Sequence, residues 1–290
     1  MPSLNTRHLS IFIILFALIT LSACTSPTPP IAEIISIQAD QAELEKLNAQ
    51  KISAAPASLF EAGEFTASNG VQLKFRHHTP PTLTAQKLPL ILMLHGSGAI
   101  GVDNEKQLGW FSRSWAHPEI QAQFATHILV PQMPARGADY MPADDAGLSY
   151  SIARPPLLAT FELVEKMLRR GDVDSKRVYV VGFSMGASGA WNAAALRPDL
   201  FAAAVPISGI APARSLAPKL ANTPILIVHG NEDKENKIES DRAMFKAIGA
   251  LQTGAASIRF KEYVGLNHTV PADMVFGTAW RTWLFAQRRN

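Results

Sequence analysis

Residues 178–191 read VYVVGFSMGASGAW, a β-branched and aromatic run, a sharp Gly-Ser-Gly turn and then a helix of small residues. A chain that leaves a buried strand and enters a helix within one residue holds that residue in a strained backbone conformation. The residue is Ser184, and Gly182 and Gly186 remove side chains that would collide in the turn. The free N–H groups of the first helical turn, including that of Met185, face any negative charge that develops beside the serine. The stretch therefore predicts a nucleophilic Ser184 with an oxyanion donor in the same turn.

The five-letter pattern Gly-x-Ser-x-Gly is short enough to arise by chance, so the rest of the chain decides its meaning. The chain has 290 residues, of which 47% are hydrophobic. This length suits one large α/β domain with a leader and is short for two independent domains. The formal net charge of +3 is small, and no lysine and arginine cluster alternates with aromatic residues, so nucleic-acid binding is not expected. The expected partner is a small molecule or the end of a polymer.

Residues 1–23 have the pattern of a secretory signal peptide. Arg7 and His8 precede the apolar run 9–21, and two small residues follow it. The run is shorter than the roughly 20 residues that span a bilayer, so a permanent transmembrane helix is the less favoured alternative. The pattern therefore predicts export.

Residues 21–24, LSAC, resemble the lipobox of bacterial lipoproteins, in which the cysteine is lipidated and becomes the mature amino terminus. Cys24 is the single cysteine of the chain, so it has no intramolecular disulfide partner in an oxidising compartment, and a free thiol is the alternative. The resemblance implies a cell-envelope lipoprotein anchored to a membrane through Cys24. Thr25 stands where an aspartate is associated with inner-membrane retention in enteric bacteria, which favours the outer membrane or a position facing the periplasm.

Residues 24–62 are predicted to be a tether and spacer between this anchor and a catalytic domain at 63–290. TSPTPP at 25–30 cannot form a helix and predicts an extended tether. Residues 31–52 carry apolar residues among Glu, Gln and Lys at a spacing that suits a loosely amphipathic helix. Whether this spacer docks on the domain or is only partly ordered stays open.

From residue 65 onward, strand and helix patterns alternate, which predicts an α/β fold with a mostly parallel central sheet and helices on both faces. Asn69-Gly70 marks an antiparallel hairpin, with His77 and His78 as surface residues at its end. Apolar runs predict buried strands at 88–94, 127–130, 201–207 and 224–228, and a last strand is expected at 257–263. The apolar spacing predicts helices at 157–168, 187–196, 241–251 and 271–287.

The glycine-rich loop HGSG at 95–98 follows the first of these buried strands. Such loops let backbone N–H groups approach an oxyanion closely, and we assign the second donor to Ser97, with Gly98 as an alternative. His95 is expected to brace the loop, and a general-base role is less favoured. The long segment 131–156 predicts a lid or binding loop. Three of its side chains either line a pocket or shield the core, namely Tyr140, Met141 and Tyr150.

Two loops at the ends of later strands carry a possible acid and a possible base. Asp233 follows the run 224–228, and its alternative is a merely solvated acidic loop. His268 follows the last predicted strand and is one of two histidines beyond Ser184. Both loops would lie at the carboxyl edge of the sheet, where ligands of α/β sheets bind.

Together these segments resemble the α/β-hydrolase superfamily, and within it the bacterial phospholipase/carboxylesterase and predicted-peptidase branch, which is dienelactone-hydrolase-like. The likeness spans roughly residues 88–290 and is carried by five stretches: LHGSG at 94–98, VVGFSMGASGAW at 180–191, FAAAVPISG at 201–209, VHGNED at 228–233 and GLNH at 265–268. It implies the α/β-hydrolase fold and the chain order nucleophile, acid, base, which assigns these roles to Ser184, Asp233 and His268. The chain departs from the family at Ala187, where a second glycine is frequent, and at 234–236, where Pro-Val-Val is common.

The expected reaction is acyl transfer to water. Ser184 attacks an ester carbonyl, His268 moves the proton and Asp233 orients the imidazole, while the N–H groups of two further residues, Met185 and Ser97, hold the oxyanion. No metal or organic cofactor is expected, because the chain has neither a His-Glu-x-x-His motif nor paired cysteines. A carboxylesterase is the favoured function. The alternatives are a serine peptidase on the same fold and a non-catalytic binding module of the envelope.

Overall fold

The structure is a computed structural model that describes residues 31–36, 41–81, 86–143, 147–251 and 258–290. Its strands are β1 (Ile31–Ser36), β2 (Glu61–Thr66), β3 (Gln72–His78), β4 (Leu88–Leu94), β5 (His127–Gln132), β6 (Ala138–Met141), β7 (Tyr150–Ala153), β8 (Val173–Phe183), β9 (Ala203–Ile207), β10 (Ile225–Gly230) and β11 (Ile258–Val264). Its α-helices are α1 (Gln41–Lys51), α2 (Trp110–Ser114), α3 (Pro118–Gln123), α4 (Pro155–Leu168), α5 (Met185–Leu196), α6 (Ala217–Leu220), α7 (Glu239–Leu251), α8 (Ala272–Phe276) and α9 (Ala279–Phe285).

The described strands other than β6 and β7 form one sheet in the order β1-β11-β10-β9-β8-β4-β5-β3-β2. Neighbours from β1 to β5 pair in parallel. At one edge, β3 pairs antiparallel with β5, and β2 pairs antiparallel with β3. The prediction of a mostly parallel α/β sheet is therefore confirmed.

Strand β4 shows why a central parallel strand reads as a continuous apolar run. Leu90, Leu92 and Leu94 pack in the core layer that also contains apolar residues of α4, α5, α6 and α7. Ile91 and Met93 pack in the opposite layer, which contains apolar residues of α2, α3, α8 and α9. Because successive side chains point to opposite faces and both faces are covered, every position must be apolar.

The hairpin of β2 and β3 is confirmed, with Gly70 at a φ of +81° in its turn. The prediction that His77 and His78 lie on the surface is wrong, since they are only 3% and 5% exposed. The cause is that β3 lies between β2 and β5 instead of ending the sheet, which puts the ring of His77 on that of His127 with centroids 5.5 Å apart. Burial lowers the pKa of His77 to about 3.

The prediction of a single helix at 271–287 is wrong, because the structure has two helices in this region, α8 and α9. Gly277 adopts an extended conformation between them, with a φ of −61° and a ψ of 136°. The buried guanidinium of Arg281 donates to the carbonyl groups released by the break, those of Met274, Val275 and Gly277. Trp280 and Trp283 of α9 are buried.

The helix predicted at 31–52 is also only partly correct, because its first segment is the strand β1. Three isoleucines within six residues favour a strand, and the edge of β11 offers unpaired backbone groups. The second segment, α1, docks on the domain, where the side chain of Asn48 donates to the carbonyl of Ala272 at 2.8 Å. The side chain of Arg113 binds the carbonyls of Ile52 and Ala55 from the other side. The described part of the spacer therefore packs against the domain that follows it.

Residues 1–30 lie outside the described residues, so the signal peptide at 1–23, the tether at 25–30 and lipidation of Cys24 stay predictions. Among the helices that the structure does describe, none combines the length and apolar character needed to cross a membrane.

Candidate active site

The turn between β8 and α5 has the strained backbone that the sequence predicts. Ser184 lies between them with a φ of 56° and a ψ of −122°, a conformation that side chains rarely adopt. A β-carbon at Gly182 would collide with the carbonyl of Gly186, and one at Gly186 would collide with the carbonyl of Leu94. The two glycines therefore allow α5 to approach the sheet closely enough to raise the serine at the carboxyl edge.

Ser184, His268 and Asp233 form a hydrogen-bonded chain across three loops. The Ser184 hydroxyl donates to His268 Nε2 at 2.8 Å, and His268 Nδ1–H donates to Asp233 Oδ2 at 2.7 Å. Because Nδ1 faces a carboxylate, its proton is fixed there and Nε2 is left as an acceptor. The side chain of His268 is 11% exposed, so the ring is reachable from solvent. The structure thus brings together three predicted residues that are far apart in sequence.

Asp233 is held as a buried carboxylate. Its Oδ1 accepts the backbone N–H groups of Glu235 and Asn236, both at 2.9 Å. Burial alone would raise the pKa of Asp233, but hydrogen bonds from His229 and His268 outweigh burial and hold the pKa well below its usual range. The acid is therefore ionised and fixed in orientation at neutral pH.

The two predicted oxyanion donors flank the serine. Met185 is the first residue of α5, so its N–H has no acceptor within the helix. Ser97 opens a turn of 3-10 helix directly after β4 and Gly96. At Gly96 the backbone passes so near that a β-carbon there would lie 3.4 Å from that of Ser184. Both backbone segments are thus placed on the serine side of the sheet edge.

His95 braces this loop, as predicted. Its Nδ1–H donates to the carbonyl of Gly96 at 2.8 Å, and its Nε2 accepts the N–H of Met133 at 3.0 Å. Both ring nitrogens are occupied, and burial lowers the pKa of His95. The ring is therefore neutral and joins the end of β4 to the end of β5.

An apolar pocket of about 330 Å³ opens beside His268 and the 96–98 loop. Its aromatic and aliphatic lining comes from Trp110, Phe111, Phe183 and Val270. The ring of Phe183 lies 5.0 Å from that of His268, between centroids. The indole of Trp110 is 40% exposed at this mouth although it is large and apolar. Such a pocket suits an apolar group of a substrate.

A second, more polar cleft of about 720 Å³ lies beside the acid loop. Its lining includes Tyr140 from β6 and the charged residues Lys234, Glu235 and Lys237. Tyr140 therefore faces a cleft, whereas Met141 pairs with Tyr150 in the small sheet of β6 and β7.

Several residues of this region were not assigned a role from the sequence. His229 and Asp241 lie buried behind Asp233, and the Asn236 side chain donates to the carbonyl of Ser208 at 2.8 Å. The position of His229 at the end of a predicted strand was the available signal. Within the described ranges, no three His, Cys, Asp or Glu side chains are grouped as metal ligands would be.

Comparisons with known proteins agree with this architecture. Residues 117–273, more than half of the chain, match the model of the dienelactone hydrolase family. An Arabidopsis thaliana protein named probable carboxylesterase SOBER1-like is 26% identical over 200 residues, which are 62% of this chain and 72% of that protein.

Two solved structures extend the comparison. A thermostable esterase superposes with a TM-score of 0.71 and 28% identity, over 80% of this chain and 64% of that one. The chain thus spans just under two thirds of that esterase. An acylaminoacyl peptidase, solved in complex with a chloromethyl ketone, shares the fold at 16% identity and a TM-score of 0.55. The match covers 79% of this chain and 42% of the peptidase chain.

The parallel sheet with its helical layers is thus the α/β-hydrolase fold, and the carboxylesterase and esterase matches support a carboxylesterase-type hydrolase. The chain belongs to the dienelactone hydrolase family.

Proposed function

We propose that the chain hydrolyses carboxylic esters through an acyl-enzyme formed on Ser184. The observation that carries the proposal is the hydrogen-bonded chain from Ser184 through His268 to Asp233. It supplies a nucleophile, a base with a free lone pair and a buried carboxylate that stabilises the base once it is protonated.

In the first half-reaction the Ser184 Oγ bonds to the ester carbonyl carbon while its proton passes to His268 Nε2. The tetrahedral intermediate then loses the alcohol, whose oxygen takes that proton from His268, and the acyl group remains on Ser184. In the second half-reaction a water molecule gives a proton to His268 and attacks the acyl carbon. The proton returns to Ser184 Oγ as the carboxylic acid leaves.

The N–H groups of Met185 and Ser97 are proposed to hold the oxyanion. Support comes from their positions, at the start of α5 and in the turn after β4, on either side of Ser184. A single donor of this kind typically contributes on the order of 3 kcal/mol to transition-state stabilisation. Backbone donors suit this role because they are fixed before the charge develops.

The apolar pocket and the polar cleft suggest an ester that joins a small apolar or aromatic group to a more polar partner. The apolar pocket lies against the ring of His268 and the 96–98 loop. Its volume of about 330 Å³ is at the small end of the range for ligand pockets, which favours a short or aromatic group over a long acyl chain.

The test compares wild type with Ser184→Ala on p-nitrophenyl esters and on peptide p-nitroanilides. Wild type should hydrolyse short esters, and Ser184→Ala should lose more than about 10³-fold in kcat. Cleavage of anilides without ester hydrolysis would replace the esterase proposal with the peptidase alternative. Full ester hydrolysis by Ser184→Ala would defeat the assignment of the nucleophile.

We further propose that the protein is exported and anchored in the cell envelope through a lipidated Cys24. The lipobox-like stretch at 21–24 and the apolar run before it support this proposal. Globomycin should block processing, and palmitate should be incorporated into wild type but not into Cys24→Ala. Processing that resists globomycin, with equal labelling of both proteins, would overturn the anchor.

A further inference from the structure

A second histidine is buried directly behind the acid of the site. His229 lies at the end of β10, and its side chain, like those of Asp233 and Asp241, has no exposed surface. His229 Nδ1 lies 2.8 Å from Asp241 Oδ2, and Nε2 lies 3.2 Å from Asp233 Oδ2 and 2.8 Å from the carbonyl of Asn236. Both ring nitrogens thus face oxygen atoms.

These contacts place one proton on Nε2 and a second between Nδ1 and Asp241. The carbonyl of Asn236 and the ionised carboxylate of Asp233 can only accept, so Nε2 must carry a proton. On the other side, Asp241 Oδ1 accepts the indole N–H of Trp191 at 2.9 Å and Oδ2 faces Nδ1. One proton lies between Nδ1 and Oδ2. Burial raises the pKa of Asp241, but the indole donor on Oδ1 and the contact with His229 oppose that rise and favour the carboxylate form, which places the proton on Nδ1.

We propose that His229 is a permanent buried imidazolium, a positioning residue that links Asp241 to Asp233 and partly neutralises the acid of the proposed Ser184, His268 and Asp233 chain. This inference rests on the proposed function, because it concerns the acid of that reaction. The linked groups run from Trp191 in α5 through Asp241 in α7 to His229, Asp233, His268 and finally Ser184.

The electrostatics of the site are consistent with this assignment. Burial by itself would lower the pKa of His229, but its hydrogen bonds to Asp233 and Asp241 outweigh burial and raise the pKa to about 9. An imidazolium that pairs with two carboxylates satisfies the rule that buried charges are paired. The three groups together then carry one net negative charge.

The charged groups nearest to the acid loop are the exposed Lys234 and Lys237, which line the polar cleft with Asp233. Glu262, the neighbour of His229 in β11, is engaged by Arg242. His268 lies beyond Asp233, and Glu235 approaches His268 Nε2 at 3.6 Å but is 73% exposed. Solvent screens such an exposed charge, so the field on the acid is set mainly by His229 and Asp241.

Loss of the positive charge of His229 would let Asp233 act on His268 with its full negative charge. A stronger negative field favours the protonated form of His268, and protonated His268 cannot accept the serine proton. The acid limb of kcat/KM, which reports the free enzyme's base, should therefore move to higher pH. A role limited to packing would lower stability without moving this limb.

The first test is a long-range ¹H–¹⁵N spectrum of the imidazole rings in the wild-type protein, with His229 assigned from its loss in His229→Gln. At pH 7 both nitrogens of His229 should show the shifts of protonated nitrogens, and this state should persist to pH 8. One unprotonated ring nitrogen at pH 7 would overturn the proposal. This readout does not depend on whether the protein hydrolyses any ester.

The second test compares pH profiles of His229→Gln and Asp241→Asn with that of wild type. In His229→Gln the acid limb of kcat/KM should rise by roughly half to one pH unit, and in Asp241→Asn, which removes a negative charge while His229 stays charged, the limb should move to lower pH. In both variants the plateau should fall by about tenfold. Two variants on different elements keep the test open if one fails to fold. His127→Gln is the matched control, since His127 is equally buried but lies at the start of β5, and it should leave the limb in place.

The outcomes separate this inference from the proposed function. A wild type that hydrolyses esters, with acid limbs unmoved in both folded variants, would overturn the role of His229 and leave the esterase proposal standing. A wild type without ester hydrolysis would defeat the proposed function, while the spectrum would still decide the charge of His229.

Discussion

At the residue scale, the backbone of Ser184 combines strain with position. A non-glycine residue at a φ of 56° and a ψ of −122° is unfavourable, and its cost is tolerated because the turn lifts the hydroxyl towards His268. The strain arises from the β-carbon and not from the hydroxyl. Activity and stability at this residue should therefore respond to different atoms.

Ser184→Gly and Ser184→Ala should separate these two effects. Both variants lose the hydroxyl and hence ester hydrolysis, but glycine also removes the β-carbon that is strained at a positive φ. We expect Ser184→Gly to exceed Ser184→Ala in free energy of unfolding by about 1 kcal/mol, as measured by urea denaturation. Equal stability of the two variants, or a more stable alanine, would show that the turn is not strained in this way.

The chain near Ser184 could be predicted from sequence because local steric rules govern it. The two glycines, the serine and the helix of small residues are adjacent, and Asp233 and His268 lie in the loops after two predicted strands whose carboxyl ends must meet at one edge. His229 was not assigned a role, because its partner Asp241 comes from another helix and only the tertiary packing of α7 brings the two together.

At the element scale, α2 supplies the indole of Trp110 to the mouth of the apolar pocket. Trp110→Ala should raise KM for phenyl-substituted acyl esters by about tenfold, because it removes a large apolar contact worth roughly 1 to 3 kcal/mol. The effect on acetyl esters should be smaller. The measurement is the ratio of kcat/KM for the two ester types.

Leu158→Ala is the control for this prediction, since Leu158 on α4 is 41% exposed, as Trp110 is 40% exposed, but does not line the pocket. Its ratio should equal that of wild type. If Trp110→Ala also leaves the ratio unchanged, the pocket does not select the apolar group of the substrate.

Strand β3 adds an element-scale prediction about pH. The pKa of His77 is about 3 in the folded chain and about 6.5 when unfolded. Its neutral state therefore stabilises the fold above pH 6.5, and this stability is lost as the pH falls towards 3. From pH 7 to pH 5 the loss should be about 2 kcal/mol for this residue.

His77→Phe should remove part of that dependence. The free energy of unfolding, measured at pH 7 and at pH 5, should differ less in the variant than in wild type. An equal difference in both proteins would mean that His77 is already solvated or protonated in the folded state.

Three elements could not be placed from sequence, each for a tertiary reason. The apolar spacing at 271–287 continues across Gly277, but Arg281 stabilises a break there by binding the freed carbonyls. Strand β1 depends on the open edge of β11. The burial of His77 depends on β5 as a second neighbour of β3. Local propensity reports none of these partners.

At the scale of the whole molecule, β1 shows where the chain enters the sheet relative to the active site. Ile31, its first residue, pairs with Arg259 near the start of β11, whereas His268 lies beyond the end of β11. Because the strands are parallel, the chain enters the sheet at the edge opposite Ser184. For the proposed anchor at Cys24, we predict from this entry point that the site is directed away from the membrane surface.

The orientation predicts that the lipidated enzyme in proteoliposomes hydrolyses a soluble short ester at the same kcat/KM before and after detergent solubilisation. Counting active sites by fluorophosphonate titration corrects for molecules enclosed in the vesicles. A soluble ester that is hydrolysed only after solubilisation would mean that the membrane covers the site.

The central claim is that Ser184 carries the acyl group during turnover. The most direct measurement is acid quenching of the enzyme during hydrolysis of a p-nitrophenyl ester, followed by mass spectrometry of its peptides. We predict the mass of the acyl group on Ser184 in wild type and its absence in Ser184→Ala. Rapid hydrolysis with the acyl group on another residue, or with the same adduct in Ser184→Ala, would contradict the account.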